Sequence, residues 1–145
     1  VALRPSIWTI GYAQQIQHSL ITTLKAARIE VLADVRAIAN SRRPGFAKTS
    51  LQTALEAADI AYTHIPELGT STAGRAAARR GDVETLREIY EEQLLSIEAA
   101  ARMLELQTLA KQRRVCLLCY CEDAHKCHRG ILADKAFAKW RRIDL

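Results

Sequence analysis

The chain reads as a single α/β domain spanning residues 1–145, small and doubly wound in the Rossmann or flavodoxin-like manner. The expected sheet is mostly parallel, of four strands or slightly more, with helices on both faces. Three observations predict this. Four short apolar runs, Ile7–Gly11, Val31–Val35, Ile60–His64 and Val115–Cys119, are each bounded by polar or Gly/Pro residues. Longer segments of helical spacing separate them, the alternation from which βαβ units are built. A chain of 145 residues, 49% hydrophobic and 26% charged, is also the size and make-up of one ordinary globular domain.

The elements follow in order. Ile7–Gly11 is the first strand, and Gly11 marks a tight turn or a close approach of ligand or backbone. Ile16–Arg28 places Ile16, Leu20, Leu24 and Ala27 on one helical face. Val31–Val35 is the second strand, followed by an irregular stretch, Ala37–Phe46. Thr49–Ala58, rich in Ala and Leu, is the second helix, and Ile60–His64 the third strand. Pro66–Gly81 reads as a long loop, of the kind that often forms lids or binding loops. From Val83, with Asp82 as N-cap, Leu86, Tyr90, Leu94, Ile97 and Leu104 continue a helical spacing with one wider step, which predicts the longest helix. Val115–Cys119 is the fourth strand, and Cys127–Trp140 the last helix. Right-handed crossovers between parallel strands suggest the order 2-1-3-4.

Composition removes several function classes. No apolar run approaches the ~20 residues that span a bilayer, so no membrane partner is expected. The opening Val1–Pro5 lacks the charged and apolar regions of a signal peptide, and residue 1 is not Met, so it is not read as the native start. The expectation is a cytoplasmic protein. All four cysteines fall between Cys116 and Cys127, a poor arrangement for stapling a fold, which points to functional thiols, a metal site or core sulfur in a reducing compartment. A net charge of +5 favours anionic partners, a small substrate or nucleic acid.

In open α/β sheets, ligands bind outside the carboxyl ends of the strands. Four chemically rich segments fall at such ends. The first is Gly11-Tyr12, with Tyr12 a ligand contact, although neither a dinucleotide fingerprint nor a P-loop is present. In the second, Asp34 and Arg36 share a strand face, and Asp34 either holds Arg36 or acts as a general base. Arg36 is a candidate to bind the anion, and beside it the basic turn Asn40–Phe46, with Ser41 and Arg42, is a phosphate and base platform. The third is His64, a candidate acid or base, followed by a turn to Gly69. Arg75, Arg79 and Arg80 in the second long loop could close over the same edge.

The fourth runs from Cys119 to Arg129. Cys119 and Cys121 share one face and Cys116 points to the other, a small core residue. Cys127-His128-Arg129 opens the last helix, where free N–H groups and the macrodipole favour an anion and Arg129 adds a two-pronged donor. The loop is similar to those of thiol phosphatases and rhodaneses, although the seven residues between Cys121 and Arg129 exceed the phosphatase spacing. Cys119 is the favoured nucleophile, with Cys121 and Glu122 lining the site. The spacing is not that of paired zinc knuckles. No cofactor is predicted; zinc is the lesser alternative that the sulfur and imidazole donors would allow.

Five motifs in sequence, Thr9-Ile10-Gly11-Tyr12, Asp34-Val35-Arg36, Ser41–Phe46, Tyr62–Gly69 and Leu118-Cys119 with Cys127-His128-Arg129, resemble the family called domain of unknown function 488. The resemblance covers about Ile7 to Lys139 and implies a compact α/β domain without a named activity. This chain has Tyr12-Ala13 where the family commonly has its small residue, and Glu122 displaced by one from the family's C-x-E. The residues themselves point to an enzyme acting on a phosphate-bearing substrate, a nucleotide or nucleic acid. A non-catalytic nucleic-acid-binding module, or a thiol or metal site of redox or structural purpose, is the alternative.

Overall fold

Strand and helix alternate along the chain as the apolar runs require. The computed structural model describes residues 5–145, so Val1–Arg4, where the reading for a leader begins, lie outside the described residues. The strands are β1 (Ser6–Gly11), β2 (Val31–Asp34), β3 (Ala61–His64), β4 (Val115–Cys119) and β5 (Arg141–Asp144). The helices are α1 (Gln17–Ala26), α2 (Lys48–Ala57), α3 (Thr72–Arg79), α4 (Val83–Gln93), α5 (Ile97–Gln112) and α6 (His128–Ala136). All pairings are parallel, and the sheet order is β3-β2-β4-β1-β5.

The period-two pattern divides the core between the two faces of the sheet. Ile7, Val31, Ala33, Val115 and Leu117 pack with residues of α3, α4, α5 and α6. Trp8, Ile10, Leu32, Cys116 and Leu118 pack with Leu20 and Leu24 of α1 and Leu51 and Leu55 of α2. Helices therefore cover both faces, as a buried parallel sheet requires. Every residue of β4 is buried, which suits its central place. Among the described residues, no helix is long and apolar enough to cross a membrane.

Several local expectations are corrected. First, the sheet order is not 2-1-3-4: β1 lies between β4 and β5, so the β1-α1-β2 crossover spans the place that β4 later fills. Second, β5 was not expected. Arg-Arg-Ile-Asp is a polar, half-covered edge strand with no apolar run to announce it. Third, the predicted long helix breaks after Leu94, because the Ser96 side chain accepts a hydrogen bond from the Ala99 N–H and caps a new helix. The break exposes Ile97 and Leu104 and buries Ala99 and Leu106 instead. Fourth, most of Pro66–Gly81 is helical: a 3-10 turn over Pro66–Leu68, then α3, capped by Ser71. Fifth, α6 ends at Ala136, short of Trp140, and Ile16, expected on the buried face of α1, lies exposed ahead of it.

The topology locates a crevice. From β1 and β2 the chain leaves to α1 and α2 on one face, whereas from β4 it leaves to α6 on the other. β4 lies between β1 and β2, so the carboxyl ends of these three strands surround the point where the connections diverge, the place where open α/β sheets take ligands.

Candidate functional site

At the end of β1 the backbone carries no side chain because none would fit. A Cβ on Gly11 would collide with the Cys121 carbonyl, so this glycine admits the loop that follows β4 over the end of β1. Tyr12 N–H and Ala13 N–H then donate to the carbonyls of Cys119 and Tyr120, continuing the pairing past the strand ends. Gly69 serves a comparable packing purpose, since a Cβ there would overlap the Ala37 backbone; it does not line the cleft.

At the end of β2 lies a closed ionic network. The Asp34 carboxylate, fully buried, accepts Arg36 Nε at 2.9 Å and Nη2 at 2.7 Å, the Arg36 backbone N–H, and the Tyr62 hydroxyl. Arg36 Nη1 donates to Tyr12 Oη at 3.2 Å and to the Phe46 carbonyl at 2.8 Å. Burial works against the guanidinium charge, but the Asp34 bonds overcome it and hold Arg36 above its ordinary range. Asp34 thus holds Arg36, and Arg36 has little left to offer an anion. Phe46, expected as a platform, is buried and stacks on Tyr12 with ring centroids 4.6 Å apart. Arg43 is tied to the carbonyls of Tyr12, Ala13 and Gln15.

At the end of β4 lies a sulfur cluster. The Sγ atoms of Cys119, Cys121 and Cys127 all lie within 4.8 Å of one another. Cys119 and Cys127 are buried with sulfurs 2.8 Å apart, and Cys121 is half-buried. Cys116 packs in the core on the opposite face of the sheet. Arg129, expected to bind a ligand, is itself buried: Nη1 donates to Cys119 Sγ at 3.0 Å and to the Cys121 carbonyl at 2.8 Å, and Nη2 to the Glu122 carbonyl at 3.4 Å. His128 Nε2 lies 2.7 Å from the Val35 carbonyl, which can only accept, so Nε2 carries the proton. Burial lowers the pKa of His128, so the ring is neutral and the Nδ1 lone pair faces Cys127 Sγ at 3.5 Å. The Tyr90 ring packs edge-on against this imidazole.

The three thiols do not share charge equally. Hydrogen bonds from Cys119 and then Cys127 push Cys121 down to about 3 against its partial burial, with Arg129 adding a smaller pull. Burial drives Cys119 up to about 12, and its hydrogen bonds to Cys119 and Cys121 drive Cys127 up as well. Negative charge on the cluster is therefore favoured at Cys121, the sulfur nearest solvent. Cys119, the expected nucleophile, is the buried protonated partner, and Cys121 is the thiolate.

Above the sulfurs lies a cleft of about 810 Å³, bordered by Tyr12, Ser41, Arg42, Arg75, Arg79 and His128 among others. Arg75 is anchored to the Thr70 carbonyl at 2.7 Å and to Thr72 Oγ1. Arg42 and Arg79 are exposed, and no carboxylate in the described residues engages them. The structure thus brings together Tyr12, Ser41, Arg42, Cys119, Cys121, Cys127 and His128, with Arg36 and Arg129 beneath them.

Besides Gly69, two predicted residues fall outside. His64 Nε2 bonds the Arg36 carbonyl at 2.7 Å, and its ring borders a separate cleft beside Glu67 and Arg102. The Glu122 side chain is exposed and does not line the cleft, and only its carbonyl reaches the site. Arg75 and Arg79 of α3 belong to the cleft, as does Thr70, whose buried hydroxyl has no partner. Their signal was the four-residue spacing of the two arginines, one helical face, behind Ser71 as a cap.

No curated protein and no solved structure matches the chain. The model of one family, a domain of unknown function, covers residues 16–136, which takes in four of the five motifs and leaves Thr9–Tyr12 outside it. The sulfur cluster, the Asp34–Arg36 network and the arginines of the cleft all fall within that span, and the chain belongs to the family DUF488.

Proposed function

We propose that this protein is an enzyme acting on a phosphate-bearing substrate, a nucleotide or nucleic acid, bound in the cleft at the carboxyl edge of the sheet. One observation carries this reading: the cleft has uncommitted guanidinium groups of Arg42 and Arg79 at its rim and the cysteine sulfurs on its floor. Arginine is suited to phosphate because its planar donors match the anion in pairs. Arg36 and Arg129 serve differently, the first by setting the wall of the cleft and the second by holding the loop of Cys121. The floor supplies the reactive group, a thiolate at Cys121 or a metal held by the three sulfurs. A purely passive binding surface has no use for a buried neutral histidine aimed at a thiol.

The test is a binding series with inorganic phosphate, a mononucleotide and a single-stranded oligonucleotide. The Arg42→Ala/Arg79→Ala variant should bind the preferred ligand about tenfold more weakly or worse, the loss of a charge-assisted contact. Affinity should fall steeply with salt as counterions are released. Turnover of the bound ligand that disappears in Cys121→Ser completes the enzyme reading, and binding without turnover replaces it with a binding module. No binding by the wild-type chain to any of the three ligands rejects both.

A further inference from the structure

We propose that Cys119, Cys121, Cys127 and His128 form a metal site of the Cys3His type, with zinc as its natural occupant. The inference deepens the phosphate reading at the floor of the cleft but does not need an anion at its rim: the three sulfurs converge, and His128 Nδ1 lies 3.5 Å from one of them, Cys127 Sγ.

Four features point to a metal. The first is the donor set, three sulfurs within 4.8 Å from one loop and the start of one helix. The second is the imidazole. His128 Nδ1 has its lone pair toward Cys127 Sγ at 3.5 Å, and a tetrahedron with Zn–S of about 2.3 Å and Zn–N of about 2.0–2.1 Å has an S–N edge of about 3.5–3.6 Å. The third is the bond behind it. Nε2–H donates to the Val35 carbonyl at 2.7 Å, the arrangement by which metal-bound histidines are fixed in tautomer and orientation.

The fourth is charge. Arg129 is 1% exposed, and none of its acceptors is a carboxylate; they are the Cys119 sulfur and two backbone carbonyls. A buried cation needs a counter-charge. Three thiolates around a divalent cation give a net charge of minus one, the same charge that the metal-free cluster sets against Arg129, so a metal fits here without unbalancing it, and the Arg129 N–H to Cys119 Sγ acts as the bond that supports a metal-bound sulfur. The 2.8 Å between Cys119 and Cys127 is shorter than a comfortable contact between unbonded atoms as large as sulfur. A metal between them would open it, and each bound thiol would give its proton to solvent.

The experiment uses the full chain, reduced and stripped with a chelator, then loaded with zinc ion alone and desalted. The expected result is one zinc retained per chain, with alkylation of Cys121 by iodoacetamide slowed about tenfold or more, since a metal-bound sulfur is a poorer nucleophile. Cobalt in place of zinc should show sulfur-to-metal charge-transfer absorption. Cys121→Ser and His128→Ala should each weaken retention, whereas Arg42→Ala/Arg79→Ala should keep the metal even where it loses the phosphate ligand. Alkylation of wild-type Cys121 at an unchanged rate in excess zinc, or no metal retained by the reduced chain, overturns the site and leaves the phosphate reading untouched. A Cys119–Cys127 disulfide that persists under the reducing conditions also overturns it.

Discussion

Two arginines, Arg36 and Arg129, are buried a few ångströms from the same cleft, and they are neutralised in opposite ways. Arg36 is met by a carboxylate two residues away, and four side-chain hydrogen bonds to Asp34, Tyr12 and Phe46 satisfy it almost completely. Among the described residues no carboxylate hydrogen-bonds Arg129, and Asp144 acts on it only through space; a thiol and two carbonyls receive it, and its Nε has no partner. The first pair is complete and silent, a device that ties β2 to β1, β3 and the turn at Phe46. The second is incomplete, and the sulfur cluster it faces can exchange protons or take a metal. Buried charge of the first kind builds a wall, and of the second kind it maintains a reactive group.

Breaking the complete pair should have the largest effect. Asp34→Ala strands a guanidinium that cannot give up its proton, and should cost about 3–5 kcal/mol in denaturant unfolding, much of a small domain's total stability. A loss under about 1 kcal/mol would mean that Arg36 finds water in the cleft and that the contrast is false. Arg129→Met should cost less, about 1–3 kcal/mol, because the carbonyls it leaves behind are near the loop surface and the thiolate can pick up a proton. The same variant should slow alkylation of the metal-free chain at Cys121. Equal destabilisation by the two substitutions would erase the distinction.

Gly11→Ala acts on the second arginine indirectly, by forcing away the Cys121 carbonyl that Arg129 holds. It should cost about 1–3 kcal/mol, as overpacking does, and disturb the sulfur cluster as measured by the same alkylation. The smallest effect belongs to a carboxylate outside both networks. Hydrogen bonds from Thr85 hold the partly exposed Asp82 below its ordinary value of 3.8. A lowered folded pKa gives stability that is present above the unfolded value and lost as pH falls through the folded one. Asp82→Asn should therefore flatten the acid end of the stability profile, below about pH 4, and leave the slope near neutrality unchanged. A change of slope near neutrality would sink this assignment.

Much of this was legible because it is local. The apolar runs marked β1 to β4 to within a residue, and the spacing of Leu20 and Leu24 marked α1. Gly11 was read as a point of close approach, and the Cys121 backbone makes that approach. Asp34 beside Arg36 suggested a pair, but whether Arg36 retained free donors depended on Tyr12 and Phe46, distant in sequence. The helical nature of Pro66–Gly81 was present in Ser71 and the Ala-rich run after it, and was obscured by the glycines and arginines. His64 was a strand-end residue like the others, yet β3 lies at the sheet edge, so its side chain opens on a different cleft.

The sequence by itself determined an α/β alternation, the strands that would be buried on both faces, and the cluster of cysteine, histidine and arginine between β4 and α6. These follow from periodicity and from the chemistry of neighbours along the chain. Only the tertiary structure decided that β4 inserts between β1 and β2, because strand order depends on which distant surfaces bury each other best. That insertion sets Cys119 and Cys121 beside the end of β1, buries Arg129 without a carboxylate, and leaves Arg42 and Arg79 facing the sulfurs across the cleft. Charges acquire their partners through space, and the spacing of residues along a chain does not record which of them will be left without one.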